Sequence, residues 1–298
     1  MDGEKMKVVK VTPRGYCLGV VKSIKWAKEA AIKYAGRDIY MLGYLVHNRH
    51  VIDEIVKLGV IPINDFKLNR LDLIKTLPDN AVVILSAHGS DDRIKDIAET
   101  KNITLVDTEC EWVTVTKDLI KEYLAKNNYQ IIFIGKHFHP ETNAMLAINP
   151  SIKLVTTAEE VDTVLPTLDP NKKILITNQT TLSKIDIEAI VEKIKQLVPN
   201  EIIFKNDLCN ATLERQNAVL NLDSNTIDLL LVVGDERSSN TLKLVEMGEQ
   251  IGIKSYRIND KTDINPNWLI NKTCVAVTAG ASTPSIIQLE VIRFLENI

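Results

Sequence analysis

The feature that most limits what this chain can fold into is a repeated alternation. Short, continuous, β-branched apolar runs are separated by longer amphipathic stretches from end to end. The runs fall at Val8–Val11, Ile39–Leu42, Val82–Leu85, Ile103–Val106, Ile131–Ile134, Ile174–Ile176, Ile202–Phe204, Leu229–Val233 and Thr273–Val277. Runs that are apolar throughout, rather than at every second position, belong to parallel strands buried on both faces. Helices are expected between them, at Val20–Tyr34, Val113–Lys126, Ile185–Leu197, Ala211–Leu220 and Thr241–Ile251. In the last of these, Leu242, Val245 and Gly248 fall at helical spacing, with Lys243 and Glu246 outside the stripe. Strand–helix alternation on this scale predicts an α/β fold with parallel sheets. No Ser/Gly-rich linker divides the chain. The recurrence of the pattern predicts three similar α/β units near residues 18–110, 111–208 and 209–282, with 1–17 and 283–298 as terminal segments completing the fold.

Bulk properties exclude several function classes. A formal net charge of −3 supplies no basic face for nucleic acid. No apolar run approaches the roughly 18 residues that cross a bilayer. The opening MDGEKMKVVKV lacks the apolar core of a secretory leader. A cytoplasmic setting is the expectation, and there the four cysteines read as thiols or metal ligands rather than disulfides.

Three of those cysteines, Cys17, Cys110 and Cys209, each stand in a turn between a strand-like and a helix-like run. Their wide separation is not a zinc-finger spacing. Three thiolates from three segments point to a metal centre with one position left open, and at this level zinc and iron–sulfur both remain. Cys274 lies inside the apolar run TCVAVT and reads as a core residue.

Polar motifs follow the strands. VVILS leads to AHGS with His88, IIFIG to KHFHPE, ILIT to NQTTLS, LLLVVG to DERSSNT, and CVAVT to AGASTP. The carboxyl rim of a parallel sheet is where ligands bind, and helix N-termini there favour phosphate. Ser239, Asn240 or Ser282 taken singly reads as a helix cap. Five such motifs, four without a basic residue in the key triplet, suggest a neutral, hydrogen-bonding anion pocket. Neither a P-loop nor a GxGxxG fingerprint is present. Among the five histidines, His47, His88 and His139 directly follow apolar runs and are pocket candidates. His50 falls in a helix-like run, and His137 faces away from His139 in an extended segment. Glu141, after His-Pro at a helix start, reads either as a dipole-favoured glutamate or as a proton donor.

PRGYCLGV, VHNRHVIDE, SAHGS, DTECEWVT, HPE, QTTLS, DLCNAT with RQ and AV following, SSNT and TAGASTP occur in this order. Together they resemble the LytB/IspH family, the 4-hydroxy-3-methylbut-2-enyl diphosphate reductases of the non-mevalonate isoprenoid pathway, over essentially the whole chain. The resemblance implies a three-lobed arrangement of α/β units around a central iron–sulfur cluster, one [4Fe–4S] cluster per chain, held by Cys17, Cys110 and Cys209. It implies diphosphate binding by His47, His88, Ser238, Ser239, Asn240 and Ser282. His139, Glu141 and Thr180 would deliver a proton, with His139 and Thr180 also contacting substrate. A ferredoxin- or flavodoxin-like electron donor is implied as partner. The chain departs from the family pattern at Glu111-Trp112 after Cys110, Asp235-Glu236-Arg237 before the serines, Asn210 after Cys209, and Ser90-Asp91 after Gly89. Two alternatives stand beside this reading: a paralogous iron–sulfur reductase of another allylic alcohol, and a non-enzymatic iron–sulfur redox sensor.

Overall fold

The computed structural model describes residues 6–64 and 69–298. The first five residues, part of both the stretch read for a leader and the first terminal segment, lie outside them.

In chain order, β1 (Lys7–Lys10) and α1 (Leu18–Lys33) come first. A first lobe then runs β2 (Ile39–Leu42), α2 (Arg49–Val56), β3 (Ile61–Ile63), α3 (Arg70–Thr76), β4 (Val82–Ile84), α4 (Arg93–Thr100) and β5 (Thr104–Val106). A second runs α5 (Glu111–Ala125), β6 (Tyr129–Ile134), α6 (Pro140–Leu146), β7 (Lys153–Val155), α7 (Val161–Val164), β8 (Lys173–Asn178), α8 (Lys184–Leu197) and β9 (Ile202–Phe204), after which α9 (Asn210–Leu220) packs with the terminal lobe. The terminal lobe has β10 (Leu229–Val233), α10 (Ser239–Gln250), β11 (Ser255–Ile258), β12 (Cys274–Ala279) and α11 (Ser285–Glu296).

Each lobe is built on a four-stranded, all-parallel sheet, in the orders β3-β2-β4-β5, β7-β6-β8-β9 and β1-β12-β10-β11. All three share one plan. The second strand is at one edge, the first and third are central, and the fourth is at the other edge. In the terminal lobe β1, from the start of the chain, takes the fourth place, with Val9 opposite Ala276 in register.

All nine expected strands are present. β3, β7 and β11 are additional, and each is the same edge strand of its lobe. An edge strand is covered on fewer sides and need not be apolar throughout. β3 contains Pro62, which cannot donate to a ladder and is tolerated only at such an edge. The central strands β4, β10 and β12 are buried along their whole length.

The expected stripe on α10 is corrected. Leu244 and Met247 face the core with Thr241 and Gly248, while Leu242 and Val245 are half-buried. Leu242 and Val245 alone mark the neighbouring flank of the same face, one residue off the true line.

Two compact units make up the chain. One holds residues up to Val20 with His47–Val51 and Asn210–Ile298, and the other holds Val21–Val46 with Ile52–Cys209. The first has two apolar layers on the terminal sheet. Leu229, Leu231, Val275, Val277, Val291 and Leu295 form one, and Leu230, Val232, Leu244, Met247 and Ala276 the other. The second unit has a core for each of its sheets, around Leu42, Val83 and Ile94, and around Ile131, Phe133 and Leu175. Among the described residues no helix is long and apolar enough to cross a membrane.

Candidate active site

Each of the three cysteines occupies the same place in its lobe. Cys110 follows β5 and directly precedes α5, Cys209 follows β9 and precedes α9, and Cys17 follows β1 and precedes α1. The backbone gives each the same anchor. Cys17 N–H donates to Ala281 O at 3.0 Å, Cys110 N–H to Ala87 O at 3.0 Å and Cys209 N–H to Thr180 O at 3.2 Å. Those carbonyls all lie in the turn after the lobe's third strand. The Cys17 sulfur accepts the Val20 N–H at 3.4 Å. No pair of the four cysteines forms a disulfide, and the three in question are half-buried whereas Cys274 is buried. Cys274 packs in the layer with Leu230 and Ala276, and burial pushes its thiol up. Each of the three partly accessible sulfurs thus stands in an equivalent turn and could ligate a metal as a thiolate, whereas Cys274 is buried in an apolar layer.

The first unit holds the serine and asparagine set. Ser238 caps α10, its hydroxyl accepting the Thr241 N–H at 3.3 Å. Ser239 and Asn240 occupy the first turn and are buried. Both amide atoms of Asn240 are buried with no hydrogen-bond partner among the described residues. Such groups are rare because each costs about 1–3 kcal/mol, a cost that a partner from outside the chain would remove. In the same unit the Ser282 hydroxyl donates to the His47 carbonyl at 2.9 Å. The loop before Ser238 is closed by Asp235 and Arg237. The Asp235 carboxylate accepts the Arg237 backbone N–H at 2.9 Å, Nε at 2.8 Å and Nη2 at 2.6 Å. Burial pushes the Asp235 carboxyl up, but these Arg237 contacts, and more weakly His47, outweigh it and hold it below the usual carboxylate range. The Asp235-Glu236-Arg237 stretch is thus held by an internal ion pair.

The second unit holds the acid. Glu141 is buried on the first turn of α6. Its two oxygens accept the Thr180 N–H at 2.7 Å and the Thr180 hydroxyl at 3.0 Å. Burial raises its pKa to about 7, against the opposing pull of both Thr180 bonds. His139 caps the same helix, its Nδ1 accepting the Glu141 N–H at 3.2 Å. His88 meets His139 edge-on with ring centroids 5.3 Å apart. The turns after β4, β6 and β8 thereby bring His88, His139, Glu141 and Thr180 into one cluster. His137 is exposed, with Nε2 3.4 Å from Glu160, and His50 lies on α2 with Nε2 3.9 Å from Asp260.

The LytB protein family model matches residues 8–296. The chain belongs to the LytB family. Among its LytB relatives, a "4-hydroxy-3-methylbut-2-enyl diphosphate reductase" of Malacoplasma penetrans is 42% identical, covering 98% of both chains. One of the same name from Bacillus licheniformis is 43% identical over 98% of this chain and 91% of its own. The solved structure of the E-1-hydroxy-2-methyl-but-2-enyl-4-diphosphate reductase from Plasmodium falciparum superposes with a TM-score of 0.88 at 31% identity, covering 97% of this chain and 88% of that one.

Within this LytB chain some supporting residues gave no sequence signal of their own. Arg215 is buried and donates through Nη2 to the Gly15 carbonyl at 2.7 Å, two residues before Cys17. It belongs to the RQ that follows DLCNAT, but nothing in that pair marks the arginine as facing inward. Asp207 is hydrogen-bonded by the Thr177 hydroxyl, and its N–H donates to Asn178 Oδ1 at 3.2 Å, bracing the loop that leads to Cys209. Glu109, directly before Cys110, pairs with the almost fully buried Lys117 at 3.1 Å. Glu111, directly after Cys110, forms an exposed pair with Lys22 at 2.8 Å.

Proposed function

We propose that this chain reduces 4-hydroxy-3-methylbut-2-enyl diphosphate to isopentenyl and dimethylallyl diphosphate. The reaction takes up two electrons and two protons, breaks the allylic C–O bond and releases water. The observation that carries the reading is Glu141, a buried carboxyl held near neutrality by its surroundings.

Hydroxide is a poor leaving group, so a proton must reach the departing oxygen. Glu141 is the donor in this reading. Thr180 fixes both carboxyl oxygens, and His139, which caps the same helix, supports the relay or contacts the substrate. His88, His47, Ser238, Ser239, Asn240 and Ser282 bind the diphosphate, and the two partnerless amide atoms of Asn240 support its part. That binding energy holds the hydroxyl end in place for protonation. Cys17, Cys110 and Cys209 would hold a [4Fe–4S] cluster, one per chain. Such a cluster supplies single electrons and an iron without a protein ligand that acts as a Lewis acid. A ferredoxin- or flavodoxin-like donor would recharge it, in a cytoplasmic setting that keeps the thiols reduced.

Anaerobic purification with an iron and sulfide count, followed by turnover of the allylic diphosphate with a reduced dye, tests the proposal. A brown protein with about four irons and four sulfides per chain is expected. Cys17→Ser, Cys110→Ser and Cys209→Ser should each lose the visible absorption, and Cys274→Ser should keep it. A colourless protein, or loss of colour in the Cys274 variant, would overturn the ligand assignment. A coloured protein without turnover would favour a sensor.

A further inference from the structure

We infer that Arg70 is a positioning residue that sets how tightly the His88 turn accepts the substrate's diphosphate. The inference rests on the diphosphate reading of His88 and extends it to a side chain outside every family motif noted above.

Arg70 opens α3 in the first lobe. Its Nη1 donates to the Ser86 hydroxyl at 2.8 Å and to the Gly89 carbonyl at 3.1 Å. These two acceptors bracket His88 in the sequence SAHGS, so one guanidinium ties both arms of the turn. Gly89 sits at φ +82°, a conformation that needs external support to stay populated as a single state. The guanidinium also fills the space over Gly43. A Cβ added there would stand 2.7 Å from Nη2 and 3.0 Å from Cζ. Gly43 ends β2 at φ +75°, and its N–H donates to Ile63 O at 2.7 Å. β2 and β4 are hydrogen-bonded neighbours, so Arg70 lies across the exits of two adjacent central strands.

Among the described residues the charge on this side chain has no counter-ion. Arg70 is half-buried overall, but its guanidinium end is enclosed enough that burial alone pulls its pKa down to about 10. Both of its acceptors are neutral, and among the described residues no carboxylate pairs with it. An enclosed cation facing only neutral acceptors is costly until an anion arrives nearby. A diphosphate bound at His88 would be that anion. Arg70 thus offers rigidity to the turn and an unneutralised positive field behind it, and both act on affinity rather than on the chemical step.

The test uses the full-length, anaerobically prepared protein, with inorganic diphosphate as probe by calorimetry and the allylic diphosphate for kinetics. Arg70→Met is expected to weaken diphosphate binding and raise KM about tenfold or more, as loss of charge-assisted hydrogen bonds would, with kcat within about twofold. Arg70→Lys restores charge without the fork and should recover part of the affinity. Ser86→Ala should cost a few-fold. Unchanged diphosphate affinity and KM in Arg70→Met, with only a lower melting temperature, would overturn the inference and leave Arg70 a scaffold residue. If that variant does not fold, wild-type affinity in both Arg70→Lys and Ser86→Ala overturns it equally. A wild-type protein that binds no diphosphate overturns both this inference and the pocket assignment beneath it. Binding by wild type and Arg70→Met alike overturns this inference alone.

Discussion

Glu141 lies buried on the first turn of α6, and both of its oxygens accept from one residue, Thr180. Burial disfavours the charged form more than those two bonds favour it, so the pKa rises from 4.5 to about 7. Between those two values the native state holds a proton that the unfolded chain has released, so stability falls as pH rises through that window. Above the folded pKa the loss is complete and amounts to about 3 kcal/mol. Glu141→Gln removes the titration while keeping the geometry. Its carbonyl can accept the Thr180 N–H and its amide can donate to the Thr180 hydroxyl. The variant should be at least as stable as wild type at pH 8, with a flatter stability profile between pH 5 and 7.5 by calorimetry. Its turnover should fall about 10²-fold or more, and the alkaline decline centred near 7 should vanish from the pH–rate profile. Near-normal turnover would remove Glu141 from the role of acid.

At the scale of elements, α10 depends on how closely its N-terminus approaches the strand ends beneath it. A Cβ on Gly280 would stand 2.1 Å from Thr241 Oγ1 and 3.3 Å from Thr241 Cβ. Gly280→Ala must therefore push the first turn of α10 outward, carrying Ser239 and Asn240 with it. The expected result is a loss of about 1–3 kcal/mol on unfolding, as for other overpacked sites. A several-fold rise in KM for the diphosphate substrate is expected with it. A wild-type KM would show that the turn can shift without consequence. The same closeness explains what was legible in the chain. The central strands were readable because burial on both faces leaves an uninterrupted apolar run, as in LLLVV and CVAVT. The edge strands IPI and SYRI were not, since partial exposure lets proline and arginine stand in a strand. The placement of His139, Glu141 and Ser238 to Asn240 between a strand and a helix was legible because strand-end positions are a short-range pattern. Arg70, Arg215 and Lys117 were not, because an inward-facing cation on a helix looks in sequence like any solvated one. Only their acceptors, on turns distant in the chain, distinguish them.

Across the whole molecule the three lobes share one strand order, but only two are continuous in sequence. The terminal lobe takes its fourth strand from β1, which pairs with β12 from Lys7 opposite Cys274 to Lys10 opposite Val277. Val8 packs on one layer of that sheet and Val9 on the other. Without β1, a fully buried central strand becomes an exposed edge, a template for aggregation. A chain lacking residues 1–10 is thus expected to aggregate rather than melt cooperatively. Connectivity itself should matter little, because what the lobe needs is the strand and not its place in the chain. The Lys10–Glu296 pair at 2.8 Å puts the end of α11 within side-chain reach of β1. Six residues before Lys7 add roughly 20 Å of reach to whatever linker joins Ile298 to the strand. Gly36, in the exposed turn between α1 and β2 with nothing within 4 Å of an added Cβ, is the place to open new termini. A permuted chain beginning at Arg37, joined from Ile298 to Met1 by a short flexible linker and ending at Gly36, lays the four strands of every lobe in succession. It should fold, melt cooperatively within a few degrees of wild type and retain reductase turnover. If it aggregates at every linker length while wild type does not, the shared strand order is not sufficient and the native path of the chain is itself required.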